Sequence, residues 1–370
     1  MKQKLILVSI AMTALTAATP DGSTPAASRE FFYVGGKYSG PGNEVMAGQM
    51  YVEVLRPQQV TRKYPLVFIH GASQTATNWM GTPDGRAGWA DYFLGQGYVV
   101  CLVDQPARGR SAWHPKVNGA VGILTASEIE RRFTAPEIYS IWPQAKKHTQ
   151  WPSESDKKGR RGDPVFDAFL ASQVEGLSSI VETETLVQAA GSALLDKLGP
   201  SIVITHSQSG SFGWLLADSR PKAVKGIVAI EPAGPPFRNS VFNQDKARPW
   251  GLTNISLSYD PPVKSSEELK PNREQSADGP DLDVCWKQAD PPRRLPNLAG
   301  IPIAIVTAEA SYHAFYDHCT SKYLTRAGVK NTLLRLGDEG VHGNGHMVMI
   351  ERNSMEVAAA IQKWIAANVK

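Results

Sequence analysis

Short apolar segments alternate with amphipathic segments along most of this chain. The pattern predicts helices at residues 89–94, 177–198 and 211–218, and a long amphipathic helix at 354–368. It predicts strands at residues 30–38, 46–55, 65–70, 98–103, 201–204, 224–230, 302–307 and 331–336. Because apolar strands that alternate with helices form parallel sheets covered on both faces, we expect an α/β fold with a mostly parallel central sheet.

Two long segments interrupt this alternation, at about residues 112–176 and 233–299. Each follows a predicted strand, at the edge where open α/β sheets bind ligands, so we expect lid-like insertions. The aromatic rings of the first insertion can either line a pocket or pack the insertion onto the body, and the sequence leaves both readings open. They are Trp113, His114, Phe133, Tyr139, Trp142 and Trp151.

The amino terminus has the pattern of an export signal. Residues 1–18 combine a charged start with a short apolar run and small residues, which is typical of a signal peptide. A buried amino-terminal helix is the alternative. Residues 19–29, rich in Pro, Ser, Thr and Ala, predict a loose leader before a domain at 30–370. We therefore expect an exported protein that is periplasmic or secreted.

The composition limits the classes of partner. Of 370 residues, 42% are hydrophobic and 20% are charged, which is enough to build a substantial core. The formal net charge of +4 indicates neither a nucleic acid nor a strongly acidic partner. The apolar run at the amino terminus is short for a bilayer span, so we expect no membrane partner. The oligomeric state stays open.

The segment around Ser207 is the strongest chemical signal. A predicted strand runs into Thr205-His206-Ser207-Gln208-Ser209-Gly210, and a helix follows at once. This layout predicts a nucleophile elbow, in which a serine stands on a sharp strand-to-helix turn with small neighbours. The alternative is an ordinary helix with a serine at its N-cap.

Chemically active side chains follow the predicted strands at the same end. They are His70, Asp104, Ser207, Glu231, Glu309 and His346. Because the carboxyl ends of parallel strands share one edge of the sheet, this placement predicts a single active site.

Together these motifs resemble the α/β-hydrolase superfamily over about residues 45–370. The segments 205–210, 230–234 and 341–347 resemble a branch of exported bacterial serine esterases in particular. That resemblance implies a nucleophile, base and acid at Ser207, His346 and Glu231. His342 is the alternative base, and Glu309 stands where most of the superfamily places the acid.

Acyl transfer also needs donors for the developing oxyanion. The backbone N–H groups of Gln208 and Ala72 are the expected pair, and we expect His70 to anchor the loop before Ala72. The predicted activity is cleavage of a small-molecule carboxylic ester through an acyl-enzyme, without a metal or organic cofactor. A cofactor-free haloperoxidase or perhydrolase is the alternative enzyme, and a non-catalytic binding module is a third reading.

The three cysteines divide by their surroundings. Cys101 lies in an apolar run and is expected to be a buried free thiol. Cys285 and Cys319 lie in polar segments, and export permits a disulfide between them. No Cys/His spacing indicates a zinc site.

Overall fold

A computed structural model of the protein describes residues 26–370. The predicted signal peptide at 1–18, and the first part of the predicted leader, lie outside the described residues.

Twelve strands are formed in this part of the chain, and we number them in chain order. They are β1 (Ser28–Ser39), β2 (Val45–Arg56), β3 (Leu66–Ile69), β4 (Val100–Asp104), β5 (Val121–Gly122), β6 (Gly176–Leu177), β7 (Ser201–His206), β8 (Val224–Ile230), β9 (Asn272–Arg273), β10 (Trp286–Lys287), β11 (Ile303–Thr307) and β12 (Thr332–Arg335). Nine α-helices accompany them within the same residues. They are α1 (Thr77–Met80), α2 (Trp89–Gly95), α3 (Ala126–Ile129), α4 (Pro136–Tyr139), α5 (Pro164–Ala171), α6 (Ile180–Leu198), α7 (Gly210–Ser219), α8 (Asp317–Arg326) and α9 (Ser354–Asn368).

The central sheet has eight strands in the order β1-β2-β4-β3-β7-β8-β11-β12. The six strands from β4 to β12 in this order are parallel, whereas β2 pairs with β4 and β1 with β2 in antiparallel fashion. The predicted α/β fold with a mostly parallel sheet is confirmed. The antiparallel strands β1 and β2 lie at one edge of the sheet and correspond to the strands predicted at residues 30–38 and 46–55.

Both faces of the sheet are covered at its centre, which is why strands such as β3 and β11 are buried along their whole length. On β3, Val67 and Ile69 join one buried cluster, while Leu66 and Phe68 join the other. Helices α6 and α7 supply side chains to the first cluster, and α2 and α9 supply side chains to the second. Alternate residues of each strand are therefore buried on opposite sides.

The two segments that interrupted the predicted alternation leave the sheet after β4 and after β8. The first contains α3, α4, α5 and a π-helical turn at Glu130–Thr134. The second is mostly irregular, with a 3-10 turn at Ser266–Leu269 and the antiparallel pair β9–β10. A disulfide between Cys285 and Cys319 joins this second segment to α8. Cys101 is a buried free thiol, as expected.

One helix begins later than its sequence predicts. Residues 176–177 pair with 121–122 as the ladder β5–β6, and the Ser179 hydroxyl accepts a hydrogen bond from the backbone N–H of Glu182. Helix α6 therefore begins at Ile180, because a capping serine fixes the first turn. Between residues 26 and 370, no helix has the length and apolar character that crossing a membrane requires.

Candidate active site

Ser207 stands on a strained turn between β7 and α7. Its φ is 56°, a left-handed conformation that costs energy for a residue with a side chain. The Ser209 hydroxyl fastens the turn, accepting from the His206 N–H at 2.8 Å and donating to the Ile69 carbonyl at 2.8 Å. The Ser207 side chain remains partly exposed at the end of the sheet. The turn has the geometry that a nucleophile elbow requires.

Two glycines permit the close packing around this turn. A β-carbon on Gly71 would lie 3.0 Å from Nδ1 of His206 and 3.1 Å from Cβ of Ser207. A β-carbon on Gly210 would lie 2.3 Å from Cβ of Pro232. The loop after β3, the elbow and the turn after β8 therefore approach one another too closely for larger residues.

His346 and Glu231 form a buried pair beside the elbow. Nδ1 of His346 lies 2.5 Å from Oε2 of Glu231, and both side chains are almost wholly buried. Glu231 follows β8 with a φ of 46°, so it too is in a strained conformation. Its carboxylate also accepts from the Ser311 hydroxyl at 2.7 Å and from the Ala308 N–H at 2.9 Å.

Burial shifts both members of this pair away from their charged forms. It lowers the pKa of His346 well below its ordinary value, and the nearby His206 and His313 act in the same direction. Burial, together with the charge of Asp317, raises the pKa of Glu231, while the hydrogen bonds from Ser311 and Ala308 oppose that rise. His346 is therefore neutral at neutral pH, which is the form that can accept a proton.

Tyr312 connects the elbow to this pair. Its hydroxyl lies 3.3 Å from Nε2 of His346, and Tyr312 lines the same cavity as Ser207. Because Nδ1 of His346 donates to Glu231, Nε2 is the free acceptor and the phenol donates to it. The face of the imidazole is covered by Phe133, whose ring stacks on it at 4.9 Å.

His206 binds and packs against His346. Its Nε2 donates to the His346 carbonyl at 3.0 Å, and the two rings lie 4.6 Å apart. Burial lowers the pKa of His206 to about 3, so this ring stays neutral. A structural role for His206 agrees with its position, since its ring binds the backbone of His346 and packs against the His346 imidazole.

The loop after β3 brings Ala72 to the elbow. His70 lies within hydrogen-bonding distance of the Gly71 carbonyl, at 3.0 Å, and its Nε2 accepts from the Gln105 N–H at 3.2 Å. Burial lowers the pKa of His70 to about 3. Among residues 26–370, the N–H of Ala72 donates no hydrogen bond. The loop is thus anchored, and one donor is left for an oxyanion.

Arg108 joins the two halves of the expected oxyanion site. Its Nη1 donates to the Gly71 carbonyl at 3.0 Å and to the Gln208 side-chain oxygen at 3.2 Å. The side chain is buried, and burial lowers its pKa to about 10, so it remains cationic at neutral pH. Positive charge therefore lies beside the backbone donors of Ala72 and Gln208.

The alternative acid and base lie together, but away from the elbow. Oε2 of Glu309 is 3.2 Å from Nδ1 of His342, whose side chain is 63% exposed. Glu309 also binds Lys147 at 3.1 Å and the Gly343 N–H at 3.1 Å. These contacts tie the loop of residues 336–343 to the first insertion.

The aromatic rings of the first insertion pack against the body and within the insertion, and none of the six lines the cavity that contains Ser207. Phe133 stacks on His346, and Trp142 packs against Tyr312 at 5.7 Å. Trp151 is fully buried and donates to Asp163 at 2.8 Å, which fixes the insertion internally.

Two clusters in the described residues place three metal-ligating atoms within 4.8 Å of one another. In one, Cys285 and Cys319 are joined as a disulfide and offer no thiolate. In the other, Glu231 and His346 bind each other, and Nδ1 of His313 binds Asp317 at 2.8 Å. In each cluster, at least two of the three residues are thus already bound to another protein atom.

Several residues near Ser207 were not found from the sequence. Tyr312 follows β11, at the strand end where the other candidates lie, so its position was a usable signal. Arg132 and Arg248 come from the two insertions, where no periodic pattern indicates which side chains turn inward. Both line a cavity of about 290 Å³ that also contains Ser207.

The fold and this geometry define a class of protein, and comparison with known proteins gives the family. The model of the alpha/beta hydrolase family matches residues 66–360. The chain belongs to this family.

Among its relatives is a fungal protein (Fungal sp., strain ATCC 74256) called "Probable secreted lipase phiG". The two are 47% identical over 335 residues, which cover 90% of this chain and 88% of the fungal one. A solved structure described as a novel bacterial esterase aligns with a TM-score of 0.60 and 24% identity, over 96% of this chain and 100% of that one. At 24% identity, the similarity to the bacterial esterase shows a shared fold only.

Proposed function

We propose that the protein is an exported serine hydrolase that cleaves carboxylic esters through an acyl-enzyme. The observation that carries the proposal is the buried His346–Glu231 pair, held 2.5 Å apart beside a serine on a strained turn. The fungal relative, named as a secreted lipase, supports both the ester substrate and the export.

In this proposal Ser207 attacks the ester carbonyl while His346 takes its proton at Nε2, after this nitrogen exchanges its bond to the Tyr312 hydroxyl for one to Ser207. Glu231 holds the imidazole with Nδ1 protonated and stabilises the imidazolium that forms. The Nε2 proton then passes to the leaving alcohol. A water molecule, deprotonated by the same nitrogen, releases the acid from Ser207.

Negative charge develops on the carbonyl oxygen during both steps. The N–H groups of Ala72 and Gln208 are the proposed donors, and Arg108 adds positive charge behind them. One such donor is worth about 3 kcal/mol of activation free energy. A fixed loop is needed for this effect, and the contacts of His70 and Arg108 provide one.

The Ser207→Ala variant tests the nucleophile. We expect hydrolysis of p-nitrophenyl acetate to fall at least about 10³-fold, since removal of a triad member leaves only binding and oxyanion stabilisation. Ser219→Ala is the matched control, because its hydroxyl bonds Ser192 at the far end of α7. A fluorophosphonate adduct, mapped by mass spectrometry, should lie on Ser207. Retained turnover, or an adduct elsewhere, would remove Ser207 from this role.

A further inference from the structure

The cavity above Ser207 is lined mainly by polar side chains. Besides Ser207, its lining includes the amide side chains of Gln208, Asn239, Asn243 and Asn254. Ligand pockets are usually lined mainly by apolar and aromatic side chains. A cavity rich in amides and cations is poorly suited to a plain hydrocarbon chain.

Arg248 is the least expected residue of this lining. It is 8% exposed, and no carboxylate lies within 4 Å of its guanidinium among residues 26–370. Its bonds go to neutral acceptors: the Pro235 carbonyl at 2.8 Å, the Arg238 carbonyl at 2.5 Å and the Asn239 side chain at 3.0 Å. Its Nη1 donates to none of the described residues. A buried charge is costly unless it is paired, so this cation lacks the partner that would stabilise it.

Arg132 brings a second cation to the same cavity. It lies in the π-helical turn of the first insertion, an irregularity frequently found at functional sites. Its guanidinium lies 4.6 Å above the Phe242 ring, and one nitrogen binds Glu128 at 3.2 Å. The stacked guanidinium is held in place while some of its N–H groups remain free to bind a ligand.

The acidic residue that lines the cavity does not neutralise this pair of arginines directly. Glu184 accepts from the N–H and the side-chain amide of Asn254 at 2.7 and 3.0 Å, and from the Ile255 N–H at 3.0 Å. Its carboxylate is thus used to hold the segment of residues 253–255. Burial lowers the pKa of Arg248 to about 10, although Tyr316 and Glu184 oppose the shift, so Arg248 is cationic at neutral pH.

We propose that the ester substrate carries a second, ionised acid group, a carboxylate in the simplest case, which Arg248 and Arg132 bind while Ser207 attacks the ester. Guanidinium groups match the planar geometry of carboxylates, and a charged pair inside a partly closed cavity is stronger than one in water. This inference rests on the proposed esterase function and specifies its substrate class.

Matched substrates test the charge requirement on either side of the ester bond. Monoethyl glutarate is compared with the analogue in which a carboxamide replaces its free carboxylate, and 4-acetoxybutanoate is compared with 4-acetoxybutanamide. The released alcohol or acid is measured. Each pair differs in charge but hardly in shape. We expect the anion of at least one pair to have a kcat/KM about 10- to 100-fold above that of its amide, as charged hydrogen bonds imply.

Variants assign that preference to the arginines. Arg132→Met should remove most of the preference for the anion, so that kcat/KM for the anion falls toward that for its amide. Arg131→Met is the matched control, because this neighbouring arginine is exposed and does not line the cavity. Because Arg248 supports the backbone, Arg248→Lys is used, and its KM for the anion should rise as the forked geometry is lost. In the wild type, added salt should raise KM for the anion alone.

Equal rates for anion and amide in both pairs would overturn the inference while leaving the esterase function intact. So would an anion preference that survives Arg132→Met. If neither these esters nor p-nitrophenyl acetate is hydrolysed, the proposed function fails and the inference fails with it.

Discussion

Replacement of Glu231 by glutamine is a sharp test of the candidate triad, because the structure determines how the amide must orient. Oε1 of Glu231 accepts from the Ala308 backbone N–H, and Oε2 accepts from Nδ1 of His346 and from the Ser311 hydroxyl. A backbone N–H cannot become an acceptor, whereas a hydroxyl can rotate and an imidazole can change tautomer. The glutamine carbonyl will therefore face Ala308, and its NH₂ group will face His346.

This orientation deprives the base of its function. An NH₂ group opposite Nδ1 requires that nitrogen to accept, so the imidazole proton moves to Nε2. The Nε2–H form of His346 cannot take a proton from Ser207. In a serine protease the equivalent amide substitution lowers kcat by about 10⁴-fold. That factor corresponds to about 5 kcal/mol of activation free energy, and we expect a loss of about 10³- to 10⁴-fold here.

Glu309→Gln is the matched control for this substitution. Glu309 is 25% exposed and binds Lys147 and His342, and such pairs contribute at most about 1 kcal/mol to stability. We expect its kcat on p-nitrophenyl acetate to stay within about threefold of the wild type. Circular dichroism and urea unfolding of both variants would show that the fold persists. If Glu309→Gln is the more damaging change, or if Glu231→Gln keeps a tenth of the wild-type rate, the assignment of the acid is wrong.

Two further predictions concern pH and the disulfide. His346 acts only when neutral, and burial lowers its pKa, so kcat/KM should stay high as pH falls and should decline only below the ordinary histidine value of about 6.5. A pH–rate profile with its acid midpoint at 6.5 or above would contradict this direction. Removal of the Cys285–Cys319 bond, which spans 34 residues, should lower the free energy of unfolding by about 4 kcal/mol. Urea unfolding of the Cys285→Ala/Cys319→Ala variant measures the loss, and a change below about 1 kcal/mol would count against it.

Much of the scaffold could be predicted from local sequence. The strand at Val224–Ile230 and the helix at Ser354–Asn368 have the predicted limits, because a continuous apolar run and a strong amphipathic period each depend on nearby residues alone. The turn at Ser207 was predictable for the same reason, since small residues must flank a tight strand-to-helix turn. Helix α6 was placed three residues early, because the ladder of residues 176–177 with 121–122 is a long-range contact.

The partners within the site were only partly predictable. Both Glu231 and Glu309 follow strands, and both His342 and His346 lie in one loop, so sequence order alone left two acids and two bases open. Packing separates them: β8 and β11 are neighbours, and the turn after β8 places Glu231 against His346, 115 residues away. Glu309 turns outward, to His342 and Lys147.

The sequence by itself determined the fold class, the elbow and the set of residues that could serve as base and acid, because these depend on local pattern and chain order. The tertiary structure decided which acid meets which histidine, and it brought Arg132, Arg248 and Tyr312 to the cavity above Ser207. These side chains come from irregular or short segments whose inward direction is set by long-range packing. No local period encodes that direction, so the chemistry of the cavity above Ser207 could be inferred only from the folded chain.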